Sequence, residues 1–334
     1  MIAVTGATGF LGHSLVPLLI ERGHQVRCLV RPTSDAQFLI ERGVELVCGD
    51  AREPAAALKL VEGCEAVIHA AGHFRFWGKY EDFFNTNVRG THHVAEAARQ
   101  AGVRRFIHLS TVAVVGVPKP GTFIDELYPC APRDAYQQSK LDGEGVILHH
   151  TRDCGLPAII LRPGAFYGPY GHYAWNRIFF EDPHIRRLPL QIHRGQHLTF
   201  PIFTPDLARV IEAALTHGTP GEVYNVCGPS LTHHAANEVI ARLLGRDTHF
   251  INAPQWGMLW LARLMTLFGN LVRHEPFYPI NLATYVFYDW IVNSDKARRE
   301  LGFEPTPFED GARITIEWYR KMGYFRNSST PGQR

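Results

Sequence analysis

Residues 2–12, Ile2-Ala3-Val4-Thr5-Gly6-Ala7-Thr8-Gly9-Phe10-Leu11-Gly12, decide how the rest of the chain is read. A short apolar run of strand length, Ile2–Thr5, leads into three glycines spaced GxxGxxG. An apolar pattern of helical period follows over residues 10–22. Glycine is needed where backbone turns sharply, where it touches phosphate, and where a helix packs on a strand. Amides at the start of such a helix face an anion, and the helix dipole strengthens the attraction. The loop residues Gly6, Thr8, Gly9, Phe10, Leu11 and Gly12 are therefore candidates to cradle a dinucleotide pyrophosphate.

Outward from this loop, strand-like runs recur at residues 25–30, 44–48, 66–69, 105–110 and 158–161. Helical patterns lie between them at residues 54–61, 80–100 and 135–154. Alternation over this length implies right-handed crossovers and a parallel sheet covered on both faces. The predicted class is α/β: a Rossmann-type doubly wound parallel sheet with a smaller C-terminal substrate lobe. Residues 1–163 form the dinucleotide-binding domain, with a later segment near 204–228 returning to it. Residues 164–325, divided by many prolines, form mainly the substrate-binding lobe, and 326–334 are expected to fray.

Composition narrows the function classes. The 334 residues are 46% hydrophobic and 20% charged, with a net charge of +2 spread along the chain. No basic stripe for nucleic acid exists. The six cysteines are scattered without a CxxC pair, which argues for reduced thiols and against zinc. Met1 leads directly into the first strand, leaving no room for a signal peptide. The longest apolar stretch, residues 256–272, is interrupted by Arg263, Gly269 and Asn270, so no integral membrane segment is expected. Its helix is expected to bury over a substrate cleft, and the protein to be soluble and cytoplasmic. No metal is expected: His92-His93, His149-His150 and His233-His234 are adjacent pairs, which chelate poorly and read as surface or capping residues.

The end of the second strand bears on the cofactor. Sites for NAD usually carry an acid there, for the ribose 2′-hydroxyl. Here Leu29-Val30-Arg31-Pro32 offers a guanidinium suited to a 2′-phosphate, which favours NADP and leaves NAD open. Asp50 either accepts from the adenine amino group or simply forms a Gly-Asp turn. Further on, Tyr136 and Lys140 are spaced to share a helix face. An ammonium beside a phenol lowers its pKa, which suits acid–base work. The hydroxyls of Ser110 and Thr111, at a strand end, are placed to hold a carbonyl oxygen.

Taken together, TGATGFLG, Gly49-Asp50, His69-Ala70-Ala71-Gly72, NTNVRGT, LSTVAVVG, YQQSK and LRPGAFYGP resemble the extended (atypical) short-chain dehydrogenases. The resemblance runs in order from residue 2 to about 170 and continues weakly to about 323. It implies that Thr111 orients the carbonyl, Tyr136 exchanges the proton, Lys140 binds the nicotinamide ribose, and Asn87 supports them. It also implies cofactor contacts at Ala51, Ala70, Ala71, Gly72 and Pro163. Other phrases, such as LVRPTSD and SDKARRELGF, are most similar to the dihydroflavonol-4-reductase-like, hopanoid-associated sugar epimerase and 3β-hydroxysteroid dehydrogenase-like branches. Val112-Ala113 stand where nucleotide-sugar dehydratases carry Asp-Glu, so dehydration is not expected.

Aromatic residues suggest an apolar or flat substrate. His73, Phe74, Trp77, Thr111, Ala165 and Tyr173 are the candidate substrate contacts, with Phe76, Tyr167, Tyr170, Trp175, Trp256 and Trp260 as further aromatic lining. The expected reaction interconverts a secondary alcohol and a ketone on a hydrophobic small molecule. Two alternatives stand beside it. One is a nucleotide-sugar epimerase with tightly bound NAD, using Arg177, Arg186, Arg187 or Arg194 for the diphosphate. The other is a non-catalytic dinucleotide sensor. A homodimer through helices near 80–100 and 135–154 is expected from the resemblance.

Overall fold

The first strand, β1 (Ile2–Thr5), ends at the glycine loop and hands the chain to α1 (Gly12–Glu21). The computed structural model describes residues 1–247 and 249–325; the tail expected to fray, 326–334, lies outside the described residues. The chain continues through β2 (Val26–Val30), β3 (Glu45–Cys48), α2 (Pro54–Val61) and β4 (Ala66–His69). Next come α3 (Tyr80–Phe84), a π-helix (Asn85–Gly90) and α4 (Thr91–Gln100). Then follow β5 (Arg105–Leu109), α5 (Ala135–Cys154) and β6 (Ala158–Pro163). The segment expected to be one helix over residues 80–100 is thus interrupted by a π-turn.

Seven parallel strands form one sheet. Its seventh, β7 (Val223–Val226), follows α6 (Thr204–Ala213), and the strand order is β7-β6-β5-β4-β1-β2-β3. Alternation along β1 explains the two covered faces. Val4 faces a core with Leu15 and Leu19 of α1 and Leu207 and Ile211 of α6, whereas Ala3 faces Leu60 of α2 and Val94 of α4. Each of these leucines is fully buried, and burying such a side chain contributes roughly 1.5–3 kcal/mol.

Strand order reverses between β1 and β4, where Thr5 pairs with His69. Ligands of open α/β sheets bind in the crevice beyond the carboxyl ends of the strands at such a switch point. A third core, built on Trp175, Phe179, Phe180, Ile240 and Tyr319, organises the C-terminal lobe around α7 (His233–Leu244) and α10 (Phe308–Lys321). Two more elements matter below: α8 (Gln255–Val272) and the single turn α9 (Ala283–Val286).

Three expectations are corrected by these packings. Tyr167 and Trp175 are core residues of the lobe, not pocket lining. Helix α8 buries only Ala262 and Gly269 and turns Trp256 and Trp260 to solvent, so it does not cover the cleft with its apolar face. His150 and His233 are buried, not surface residues, because their helices turn them inward. Among the described residues, no group of three or more His, Cys, Asp or Glu is placed to hold a metal, and no helix is long and apolar enough to cross a membrane.

Candidate active site

The glycine loop meets the end of β4 at the switch point. Gly6 has φ +74°, and a Cβ there would lie 2.7 Å from the backbone of Ala70 and Ala71. A Cβ at Gly12 would lie 1.8 Å from the Ala7 carbonyl oxygen, so only glycine lets α1 pack this closely. Gly9 donates its N–H to the Gly6 carbonyl at 3.0 Å and closes the turn. Leu11 is buried beneath, while Phe10 reaches towards Gly171, where a Cβ would meet its ring at 2.4 Å. The glycines thus keep the backbone between β1 and α1 in a tight turn that side chains would not allow.

Arg31 is exposed beside Thr8, His13, Ser34 and Phe38, in an open groove past the end of β2. His13, which sequence reasoning passed over, stacks between Phe38 at 4.1 Å and Tyr170 at 4.4 Å between ring centroids. Tyr170 therefore belongs to this groove and not to the substrate side. The Asp50 carboxylate is held by Arg52, at 2.9 Å to Nε and 3.0 Å to the terminal nitrogen. Burial acts to raise its pKa, but Arg52 and the charge of Arg31 bring it below the usual value. Ala51 is buried against Gly90 of the π-helix.

A directed chain of hydrogen bonds runs from Ala71, just past the end of β4, to the π-helix. Ala71 N–H donates to Thr5 Oγ1 at 3.1 Å, and Thr5 Oγ1 lies 2.9 Å from His69 Nδ1. His69 Nε2 lies 3.0 Å from Thr91 Oγ1, whose hydroxyl donates to the Asn87 carbonyl at 2.7 Å. With Thr91 spending its proton on that carbonyl, His69 carries its proton on Nε2 and accepts on Nδ1. Burial pulls its pKa down to about 3, so the ring is neutral. No reading of the sequence singled out His69 for this role; its only signal is its place one residue before Ala70-Ala71-Gly72.

Asn87 sits in the π-helix, an insertion frequent at functional sites. Its Oδ1 accepts from His73 N–H at 2.7 Å, and its Nδ2 donates to the His73 carbonyl and Ser139 Oγ at 3.0 and 2.9 Å. A Cβ at Gly72 would lie 3.5 Å from this amide and 3.9 Å from Lys140 Nζ. Gly72, Asn87 and Lys140 therefore converge.

Helix α5 is capped by Asp134, whose Oδ1 accepts from Gln137 N–H at 2.8 Å, and its first turns present Tyr136 and Lys140. Lys140 is buried and donates to the Leu109 carbonyl. Burial brings its pKa down to about 8, against the charge of Glu144. Tyr136 is half-buried. Burial pushes its phenol well above the ordinary value; the Thr111 hydroxyl, hydrogen-bonded to it, acts the other way. The expected lowering by Lys140 is not found, because the ammonium is turned to Leu109. The phenol is accordingly held protonated.

Ser110 and Thr111 are separated in role by one further residue. Ser110 Oγ donates to Glu144 Oε1 at 2.5 Å, and Arg162 closes a buried two-armed pair on the same carboxylate at 2.8 and 2.6 Å. Ser110 is thereby withdrawn, while Thr111 opens a 3₁₀ turn (Val112–Val115) by accepting from Ala113 N–H at 3.2 Å. Glu144 was legible in principle: it stands four residues beyond Lys140, on the same helix face. Pro163 ends β6 against Val226, and Ala165 follows it, half-buried.

The wall opposite is aromatic. The Phe74 ring lies 4.6 Å from that of Tyr136 and 5.5 Å from Tyr173, and Phe76 lies 5.2 Å from Tyr285 of α9. Tyr285 also accepts from Gln137 Nε2 at 3.2 Å; nothing in its sequence neighbourhood marked it. His73 packs on Phe83, and Trp77 points away to Asn270 of α8. Of the four candidate diphosphate cations, Arg177 is stacked on Phe277 and paired with Asp182, and Arg186 is paired with Glu181 and Asp182. Arg187 and Arg194 lie at exposed left-handed turns.

Comparison with known proteins agrees with this geometry. Across 96% of this chain and 98% of its own length, sterol demethylase protein B of Methylococcus capsulatus is 31% identical. A 4-hydroxy-2-methyl-3-oxo-4-farnesyl-3,4-dihydroquinoline-1-oxide ketoreductase of Stigmatella aurantiaca is 28% identical over 90% of each chain. A dTDP-glucose 4,6-dehydratase of Streptomyces niveus is 29% identical over 96% of this chain and 92% of its own. The crystal structure of gox2253 superposes with a TM-score of 0.83 at 29% identity, covering 98% of this chain and 99% of the other. Residues 2–227 match the sequence model of the NAD dependent epimerase/dehydratase family, and the chain belongs to that family.

Proposed function

We propose that the protein is an NADP-dependent oxidoreductase that interconverts a secondary alcohol and a ketone on a hydrophobic small molecule. The observation that carries this reading is the aromatic wall, Phe74, Phe76, Tyr173 and Tyr285, set against Tyr136. Apolar walls with a few convergent polar groups suit an apolar ligand. The names of the sterol demethylase and farnesyl-dihydroquinoline ketoreductase relatives support the same class. The exposed Arg31, at the end of β2 and without an acid beside it in sequence, supports NADP over NAD.

When bound, the dinucleotide supplies or takes up the hydride. Gly6, Thr8, Gly9, Phe10, Leu11 and Gly12 would hold its pyrophosphate, Arg31 its 2′-phosphate, and Lys140 its nicotinamide ribose. Ala51, Ala70, Ala71, Gly72 and Pro163 would line its path. Thr111 holds the carbonyl oxygen, and Tyr136, kept protonated by burial, donates to it as a ketone becomes an alcohol. Asn87 fixes His73 and Ser139, and with them the seat of Lys140. The six cysteines, none in a disulfide, fit the reducing cytoplasm we propose for it, and α4 and α5 are the proposed homodimer faces.

Replacing Tyr136 by Phe is expected to cut turnover of a test ketone by about 10²-fold or more while leaving NADPH affinity within about twofold. Unaltered turnover overturns the assignment. A second reading, nucleotide-sugar epimerisation with retained NAD, is favoured by the likeness to the Streptomyces dehydratase. Against it, Arg177 and Arg186 are already paired with acids. Calorimetric titration with UDP- and dTDP-sugars decides: no heat removes the epimerase. The intact Thr111, Tyr136 and Lys140 weigh against a non-catalytic sensor.

A further inference from the structure

Helix α8 is the longest helix of the second lobe and is amphipathic in the inverted sense. Trp256, Trp260, Leu264, Leu267, Phe268 and Leu271 are 58–80% exposed. At about 100° per residue these positions fall within an arc of roughly 120°, in which no polar residue intervenes. The opposite face, carrying Ala262 and Gly269, is the one packed on the protein. Contiguous exposed apolar surface of this kind marks an interaction site.

Charge selects the occupant. From residue 251 to 274 the chain carries Arg263 and Arg273 and not one acidic residue. Both arginines are exposed, and Arg263 lies over the Trp260 ring at 5.7 Å, at the edge of the apolar stripe. A symmetric contact between two copies of α8 would bring these cations together with no acid on the helix to answer them. Tryptophans at one end, leucines along the stripe and Arg263 at its rim are what an interfacial helix needs: apolar side chains among acyl chains and a cation among lipid phosphates. We propose that α8 docks the protein on an anionic bilayer surface, lying in the headgroup plane without crossing it.

The docked face is continuous with the cleft. Trp77 donates to Asn270 near the end of α8 at 2.7 Å, and Phe74 of the same loop packs on Tyr136. Docking therefore sets the aromatic mouth of the cleft beside the lipid, where a membrane-dissolved ketone is concentrated. This last step rests on the proposed substrate class; docking itself does not.

The test is co-sedimentation of the full chain with vesicles of phosphatidylglycerol and phosphatidylethanolamine, read without substrate. The wild type is expected to sediment and to show a blue shift of tryptophan emission. Leu264→Glu combined with Leu267→Glu is expected to weaken partitioning about tenfold or more while NADPH affinity and thermal midpoint stay unchanged. Arg263→Glu is expected to weaken binding at low salt and to lower the salt sensitivity of what binding remains. A wild type that stays in the supernatant overturns the proposal. So does a double variant that sediments like the wild type, or α8-dependent self-association in place of vesicle binding. Because no turnover is read, failure of the reductase assignment and failure of docking are separate results.

Discussion

Lys140 shows how one buried charge ties binding to pH. Its amine is taken from water and given one neutral acceptor, the Leu109 carbonyl, which brings its pKa from the ordinary 10.5 to about 8. A folded value below the unfolded one means that the unfolded chain binds the proton more tightly between these limits. The burial cost is therefore present in full below pH 8 and vanishes as pH rises through 10.5. Lys140→Met is expected to stabilise the protein at pH 6 by about 1–2 kcal/mol, after the unpaired carbonyl is subtracted, and to destabilise it by about 1–2 kcal/mol at pH 10.5, where only the unpaired carbonyl is left. Urea denaturation at the two pH values checks this. Affinity for the dinucleotide is expected to fall as pH passes 8, where the ammonium is lost, and Lys140→Met is expected to flatten that dependence in a fluorescence titration. The residue types at this site were legible from spacing and resemblance. The division between Ser110 and Thr111 was not a matter of residue type: it depends on Glu144, whose carboxylate captures one hydroxyl and leaves the other.

At the scale of elements, the contact between α5 and the π-helix is set by a glycine. A Cβ at Gly143 would lie 2.6 Å from the Asn87 carbonyl, the acceptor that ends the His69 chain. Two residues on, a Cβ at Gly145 would meet nothing within 4 Å. The pair separates packing from propensity in one helix. Gly143→Ala is expected to cost about 1–3 kcal/mol and to lower turnover, because α5 must move away from Asn87 and carry Tyr136 and Lys140 with it. Gly145→Ala is expected to gain about 0.5–1 kcal/mol with unchanged kinetics. Thermal midpoints and kcat for both variants check this. Helix α5 could be read from sequence to its last residue, since its cap, Asp134, and its end, Gly155 in the left-handed conformation, both have side-chain causes. The π-turn could not. Its extra residue is fixed by tertiary bonds from Asn87 to His73 and Ser139, and no periodicity in NTNVRG records them.

The parallel sheet of the whole molecule was legible because each strand carries its own pattern. The aromatic residues were not, because a tryptophan in a core, on a solvent face or in a cleft looks the same in one dimension: Trp175, Trp256 and Phe74 end in three different places. Which aromatics meet the substrate depends on how the second lobe meets the loop after β4, and one hydroxyl holds that meeting. Tyr173 accepts from Phe76 N–H at 3.0 Å and donates to Glu275, whose carboxylate is also 3.5 Å from Arg75; the Arg75 guanidinium stands over the Tyr173 ring. Removing the hydroxyl keeps the ring against Phe74 and Phe76 but strands the Phe76 amide and loosens the loop that faces Tyr136. An unpaired buried donor costs about 1–3 kcal/mol, so Tyr173→Phe is expected to raise KM for an apolar ketone roughly tenfold. The proposed dinucleotide site lies on the other side of Tyr136, against β1 and β4, so the dissociation constant of the dinucleotide is expected to change by less than about twofold. Steady-state kinetics beside a cofactor titration reads the two together. Equal losses in both would mean that the hydroxyl supports the whole crevice, and that Phe74 and Phe76 are framework and not a substrate wall.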